Sequence, residues 1–167
     1  MLKILPYSDK YADEYTLVSI WQALKEDALI EDVFHGEINT LNEFIRFMAD
    51  SLMYIGLNDD NFMGAAWLYD IKGKRADIGF FFRKKYWKDP ALIREAVSMF
   101  LDYCFNKLKL ELLIGYLSSL NILNFAEYAG FKRVGMIPQY FGNSDDAFIV
   151  QLNVVDFKKR VHKIKSL

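Results

Sequence analysis

The sequence predicts an α/β (α+β) domain: a mixed, mostly antiparallel central sheet of about seven strands flanked by helices, in the order β-α-α-β-β-β-α-β-α-β-β. Three observations predict it. Strand-like runs separated by the turn formers Asn58-Asp59-Asp60-Asn61 and Lys72-Gly73-Lys74 follow one another without a helix, as in an antiparallel meander. The longest helical stripe, Leu92 to Leu108, then lies between two such runs, which implies a right-handed parallel crossover. Finally, 53% hydrophobic and 26% charged residues in a chain of 167 give one domain, 1–167, enough apolar surface for a core.

Each element has a local reason. Leu2 to Leu5 reads as a short strand, and after Ser8 the residues Tyr11, Tyr15, Val18, Trp21, Leu24 and Ala28 recur at helical spacing. Between Leu29 and Thr40 the pattern lapses, so that stretch is expected to be a mobile connection, and Leu41, Phe44, Ile45 and Met48 resume a helical period. Leu52 to Leu57, Phe62 to Ile71 and Ala76 to Arg83 form the meander. Pro90 suits a first helical turn, and Leu92, Ile93, Ala96, Val97, Phe100, Leu101, Cys104, Phe105 and Leu108 make one apolar face. Leu110 to Leu117 reads as a buried strand, and Leu120 to Ala129 as a helix stopped by Gly130. Phe131 to Tyr140 and Ala147 to Val154 form a closing hairpin around Gly142-Asn143-Ser144-Asp145-Asp146. A basic helix over 155–167 carries Phe157, Val161 and Ile164 on one side.

Composition removes several function classes. A formal net charge of -1 excludes a general polyanion binder, so nucleic acid is an unlikely partner; the C-terminal Lys158-Lys159-Arg160 with His162, Lys163 and Lys165 is the one concentrated basic patch. The single Cys104 cannot close an internal disulfide, and the two histidines have no zinc spacing, so no metal site is expected. No apolar run has membrane-spanning length, and Met1-Leu2-Lys3-Ile4-Leu5-Pro6 is too short for a signal core, which predicts a cytoplasmic protein that does not engage a membrane. Phe80, Phe81 and Phe82 point alternately to both faces of a strand, as in a sheet covered on each side, rather than forming a base-stacking platform.

The stretch Ala76-Asp77-Ile78-Gly79-Phe80-Phe81-Phe82-Arg83-Lys84-Lys85-Tyr86-Trp87 resembles the fourth strand and cofactor loop of the GNAT (GCN5-related) N-acetyltransferases, closest in pattern to the type that acetylates the N-termini of ribosomal proteins. Ser118-Ser119-Leu120-Asn121-Ile122-Leu123-Asn124-Phe125-Ala126-Glu127-Tyr128-Ala129-Gly130-Phe131 resembles the family's second signature, which ends in Gly-Phe. The resemblance spans Leu2 to Val154 and implies an acetyl-CoA-dependent N-acyltransferase in which a primary amine attacks the thioester directly. Acyl-CoA and an amine acceptor are the implied partners, with a second copy of the chain as a further candidate.

Such a site needs backbone donors at a helix start to hold pyrophosphate. The resemblance places Phe81, Phe82, Arg83, Trp87, Lys88, Asp89, Ala91 and Leu92 at the cofactor, with Asn124 on the pantetheine amides or at the surface. The chain departs from the pattern: Lys88, Asp89, Pro90 and Ala91 stand where glycines are expected, so Arg83, Lys84, Lys85 and Lys88 are candidate side-chain substitutes for amides. The family's acid, a tyrosine four residues before the glycine, is here Ala126, and Tyr128 falls on another helical face.

Acyl transfer needs an acid for the departing thiolate and a base for the amine. Tyr116, then Ser118 or Ser119, are the candidate acids at the end of the fifth strand. Asp77 is the candidate base, directly or through water, or else a sheet-face carboxylate paired with Arg75 or Lys74. Glu31 and His35, with Asp32 and Glu37, border the acceptor side that the resemblance implies, where carboxylates attract a cationic amine; a solvated polar loop is the plainer reading of them. A catalytically silent GNAT-fold binding or structural protein, of the kind phages and prophages carry, is the second reading, resting on the missing glycines and tyrosine.

Overall fold

The computed structural model describes residues 1–7, 16–141 and 145–165, with the side chains of 161–165 excepted. Seven strands form one sheet in the order β1-β2-β3-β4-β5-β7-β6. The chain folds as two compact units, Met1–Tyr69 with Gly79–Met99, and Asp70–Ile78 with Phe100–Leu167.

The first unit contains β1 (Leu2–Pro6), α1 (Leu17–Glu26), α2 (Ile30–Phe34), α3 (Leu41–Ala49) and β2 (Leu52–Asn58), together with most of β3 (Asn61–Lys72), the end of β4 (Arg75–Phe82) and most of α4 (Pro90–Asp102). The Thr16 hydroxyl caps α1 by accepting from the Ser19 amide at 3.0 Å. Ser8, Tyr11 and Tyr15 of the expected helix lie outside the described residues. Its buried face is Ile20, Trp21, Ala23 and Leu24, while Val18 is exposed. The expected mobile connection holds a short helix instead, because Phe34 is buried and stacks on Trp67 with ring centroids 5.7 Å apart. Thr40 and Glu43 form a reciprocal capping box that starts α3. Trp21, Phe34, Phe44, Trp67 and Phe81 belong to the core of this unit, and Trp21 and Phe44 approach to 5.3 Å. These rings bring large apolar area and geometric preference together.

One ion pair ties the end of β4 to α1. Arg83 Nε donates to Asp27 Oδ2 at 2.7 Å, Arg83 Nη2 donates to Glu26 at 3.1 Å, and the Lys84 amide donates to the same Asp27 oxygen at 2.9 Å. Desolvation pushes the Asp27 carboxyl upward, but the Arg83 hydrogen bond, the Lys84 amide and the two positive charges outweigh it and hold the group below its usual range.

The second unit contains β5 (Leu112–Leu117), α5 (Leu120–Tyr128), β6 (Lys132–Ile137), β7 (Ala147–Asn153) and α6 (Val154–Lys165). The long stripe after Pro90 is not one regular helix: α4 ends at Asp102, and Tyr103–Lys107 winds as a π-helical turn before the chain turns back. β4 runs parallel to β5 over Arg75↔Leu112, Ala76↔Leu113 and Asp77↔Ile114, and β5 pairs antiparallel with β7. The core holds Cys104, Leu113, Val150 and Leu152, and Phe105 packs on Phe157 at 5.0 Å. Gly130 ends α5 in a left-handed conformation, φ +103°, which suits glycine. The final helix, expected over 155–167, is described as starting one residue earlier, at Val154.

Two outcomes follow for stability. A side chain at Gly64 would drive its Cβ into the Phe81 backbone carbonyl, whereas one at Gly56 makes ordinary contacts with the flexible end of Ile4 at 3.5 Å and the Gly64 carbonyl at 3.7 Å. Gly64→Ala should therefore cost about 2 kcal/mol or more by thermal unfolding, with Gly56→Ala within about 1 kcal/mol of the parent. Because the Asp27 carboxyl titrates below its usual value, its stabilisation is present above the unfolded-state range and is lost as pH falls through the folded value. Asp27→Asn should lower stability by about 1 to 3 kcal/mol at neutral pH, with the deficit vanishing in acid. A deficit independent of pH would count against the ion pair.

Candidate active site

The segment leaving β4 is shaped by its own side chains. Phe81 is buried in the core, and the Phe82 carbonyl accepts the Trp87 indole N–H at 3.0 Å, folding the short 3₁₀ turn Lys84–Tyr86 over the strand end. Trp87 remains 53% exposed, with the Lys84 ammonium 5.7 Å from its ring centroid. Asp89 caps α4: its Oδ1 accepts the Leu92 amide at 3.0 Å, and its carbonyl accepts the Ile93 amide at 3.2 Å. Pro90 has no N–H, so at most the Ala91 amide at this helix start is open to an anion. Lys85, Lys88 and Ala91 are exposed and Leu92 is half-buried.

Arg83 departs from the sequence expectation. Its guanidinium pairs with Asp27 and Glu26 and so does not stand free for a phosphate. Glu31 is exposed on α2, and His35 ends that helix in a left-handed conformation, φ +50°. The loop-like composition around them conceals a helix stop.

The second unit holds the carboxyl and the phenol. In the parallel ladder Asp77 stands beside Ile114, and Tyr116, two residues further along β5, projects to the same face of the sheet. Asp77 is only 6% exposed, and its Oδ1 is buried without a hydrogen-bond partner among the described residues. The pairing with Arg75 or Lys74 that the sequence also allowed is not formed. Arg75 Nη2 donates to Asp70 at 2.9 Å, and Lys74 donates to Glu111 at 2.5 Å. Burial pushes the Asp77 carboxyl above the usual carboxylate range, the neighbouring Arg75 charge pulls it back, and Asp70 adds to the upward shift. Burial, then the Asp77 charge, then Tyr140 raise the Tyr116 phenol above the ordinary tyrosine value.

Ser119 is likewise a structural residue in this geometry: its hydroxyl caps α5 by accepting the Ile122 amide at 3.2 Å. Asn124 is exposed on the same helix. Ala126 is buried, while Tyr128 is exposed with the Arg160 guanidinium 5.7 Å from its ring centroid. Burial pushes the Cys104 thiol up to about 12, which makes it a poor nucleophile.

Two residues escaped the sequence reading. Asp27 meets Arg83 across 56 residues of chain, a pairing no local pattern records. Tyr140 was expected at the end of a strand, but β6 stops at Ile137 and Tyr140 lies in the following turn, its ring stacked on Tyr116 at 5.3 Å and 11°. Pro138 was the available signal, since proline cannot donate to a ladder.

A family model described as an acetyltransferase (GNAT) domain matches residues 7–132. No curated protein sequence matches the chain. Among solved structures, a spermidine N-acetyltransferase from Vibrio cholerae in complex with CoA and spermine is 15% identical, with a TM-score of 0.76 over 94% of this chain and 98% of that one. A dodecameric structure of spermidine N-acetyltransferase from the same organism is 16% identical, with a TM-score of 0.73 over 95% of this chain and 97% of that one. A ribosomal-protein-S5-alanine acetyltransferase from Vibrio fischeri is 12% identical, with a TM-score of 0.72 over 93% and 94%. At these identities the structures share the fold, and no helix described here is long and apolar enough to cross a membrane. With the family model covering most of the chain from Tyr7 to Lys132, and the strand order and Gly-Phe signature in place, the chain belongs to the GNAT acetyltransferase family.

Proposed function

We propose that the chain transfers an acetyl group from acetyl-CoA to a primary amine, with Asp77 as proton acceptor and Tyr116 as proton donor. The observation that carries this reading is the buried Asp77 carboxyl, whose Oδ1 has no hydrogen-bond partner among the described residues, on the same sheet face as Tyr116 in a GNAT domain. A carboxyl kept dry without a hydrogen bond is costly, and catalysis is a reason to keep it. That cost also favours turnover over a silent binding role.

Acetyl-CoA supplies an activated thioester when bound. Asp77 accepts the proton that the attacking amine gives up, and its raised pKa makes it a stronger base than an ordinary carboxylate once ionised. Tyr116 supplies the proton that the departing sulfur takes, and its raised pKa keeps the phenol protonated until it is needed. Transfer of the Asp77 proton back to Tyr116 through solvent restores both groups. Since the α4 start offers few amides, Lys84, Lys85 and Lys88 carry the phosphates in this reading, with Trp87 and Leu92 lining the loop. Arg83 keeps its structural ion pair. Glu31 and His35 serve the acceptor side, and Glu31 favours an amine that arrives as a cation.

Calorimetry with CoA tests the cofactor, and release of free thiol from acetyl-CoA tests transfer, with spermidine and an alanine-initiated peptide as acceptors. Binding that weakens with added salt and in Lys88→Ala is expected. No binding at millimolar CoA together with no thiol release overturns the reading. Tyr116→Phe should lower kcat on the order of a hundredfold with CoA affinity nearly unchanged. An equal rate removes Tyr116 from the mechanism.

Asp77→Asn separates a catalytic carboxyl from a structural one. Because its folded pKa is raised, the wild-type group contributes full stability only below the unfolded-state value and loses it as pH rises through the folded value. The asparagine variant should therefore be more stable than the parent at neutral pH, equal to it in acid, and slower on the order of a hundredfold or more. A variant destabilised at neutral pH would show that the carboxylate holds the fold.

A further inference from the structure

We propose that Tyr140 is a positioning residue, whose stacked ring fixes the Tyr116 phenol and shields it from water. The inference rests on the reading of Tyr116 as proton donor and adds a residue that neither the fold family nor the sequence pattern assigns.

The turn after β6 is built to deliver this ring. Pro138 ends the ladder, and Gln139 adopts φ +52°, the left-handed region that a residue of its kind rarely enters. The Gln139 amide donates to Asp146 Oδ1 at 2.9 Å, and the Phe141 amide donates to the Asp145 carbonyl at 3.2 Å. Phe141 is buried and meets Tyr140 edge-on, with centroids 5.0 Å apart at 83°. Tyr140 is thus held between a buried edge-on ring and the parallel ring of Tyr116 although it is itself 43% exposed. A surface tyrosine serving solubility alone has no need of two ring contacts and a left-handed residue just ahead of it.

The groups that act electrostatically on Tyr116 come from three elements: Asp77 and Arg75 on β4, Asp70 on β3, and Tyr140 in the turn. Burial is the largest of the influences that keep the phenol protonated, followed by the Asp77 charge and then Tyr140, while Arg75 opposes them. An aromatic lid contributes through the first influence by excluding water, and through contact by restricting the Tyr116 rotamer.

The test follows the Tyr116 ring resonance by NMR in isotope-labelled full-length protein, assigned by its loss in Tyr116→Phe, from neutral to alkaline pH. In Tyr140→Ala, Tyr116 should titrate at lower pH than in the parent, and Tyr140→Phe, which retains the stack, should restore most of the shift. Tyr140→Leu supplies a second non-aromatic variant should the alanine variant unfold. With acetyl-CoA and spermidine, Tyr140→Ala should lose kcat on the order of tenfold with KM for acetyl-CoA unchanged, move the alkaline limb of the rate profile to lower pH, and regain the rate in Tyr140→Phe. An unaltered Tyr116 titration in both non-aromatic variants overturns the proposal. The titration reads the hold of Tyr140 on Tyr116 whether or not Tyr116 is the acid, and the Tyr116→Phe rate reads the acid role alone, so the two ideas can fail separately.

Discussion

Three residue pairs of parallel ladder, Arg75↔Leu112, Ala76↔Leu113 and Asp77↔Ile114, determine the path of the chain between β4 and β5 and the side chains that share a sheet face. Parallel strands cannot be joined by a tight turn, so the polypeptide must leave the end of β4 and travel through a crossover before β5 begins. That requirement accounts for the 3₁₀ turn, α4 and the π-helical turn that follow one another between Phe82 and Leu112. The same pairing sets the faces: with Asp77 opposite Ile114, the two-residue period of β5 puts Tyr116 on the side of Asp77. A slip of one residue would send the phenol to the other face, away from the Asp77 carboxyl.

The charges around this ladder are distributed so that Asp77 is left over. Arg75 is the nearest compensating cation in sequence, yet its Nη2 is occupied by Asp70, and its Nε is buried without a partner among the described residues. Lys72 also pairs with Asp70, and Lys74 with Glu111. A sheet optimised for stability would rotate one of these cations toward Asp77 or replace the carboxyl with an apolar side chain. Local destabilisation at such a carboxyl is the exchange expected if Asp77 is the proton acceptor proposed above. Asp27 shows the opposite solution within the same chain: a carboxyl given a guanidinium and a backbone amide, and held ionised.

Elements were legible wherever a period ran long enough. The meander, the α4 stripe and the hairpin follow from alternation, from spacing and from turn residues, and the crossover follows from their order. Pro90 marked the first turn of α4, and Phe80 to Phe82 marked a strand covered on each side. What failed to show was of two kinds. Elements little longer than one turn, such as the five residues of α2, do not repeat a period often enough to count. Side-chain partnerships depend on which distant elements meet, so Arg83 looked available for phosphate until Asp27 claimed it, and Ser119 looked reactive until it capped α5. Asp77 was found by its place in the fourth strand, whereas the failure of Arg75 and Lys74 to reach it depends on tertiary geometry.

The glycine-poor loop then has a physical reading. Glycines let backbone amides approach phosphate, but they also leave a loop entropically free. Here the loop is stiffened by other means: Arg83 and the Lys84 amide are pinned to Asp27, the Trp87 indole is pinned to the Phe82 carbonyl, and Asp89 closes the first turn of α4. A loop fixed in this way has spent its amides on itself, and the charge left for an anion is on the lysine side chains of Lys84, Lys85 and Lys88. Ammonium groups on flexible stems bind phosphate as point charges, with less directional selectivity than a fixed row of N–H groups and with greater sensitivity to salt. A loop of this kind would therefore hold an anion by attraction more than by fit, the opposite of what a glycine-rich row of amides does.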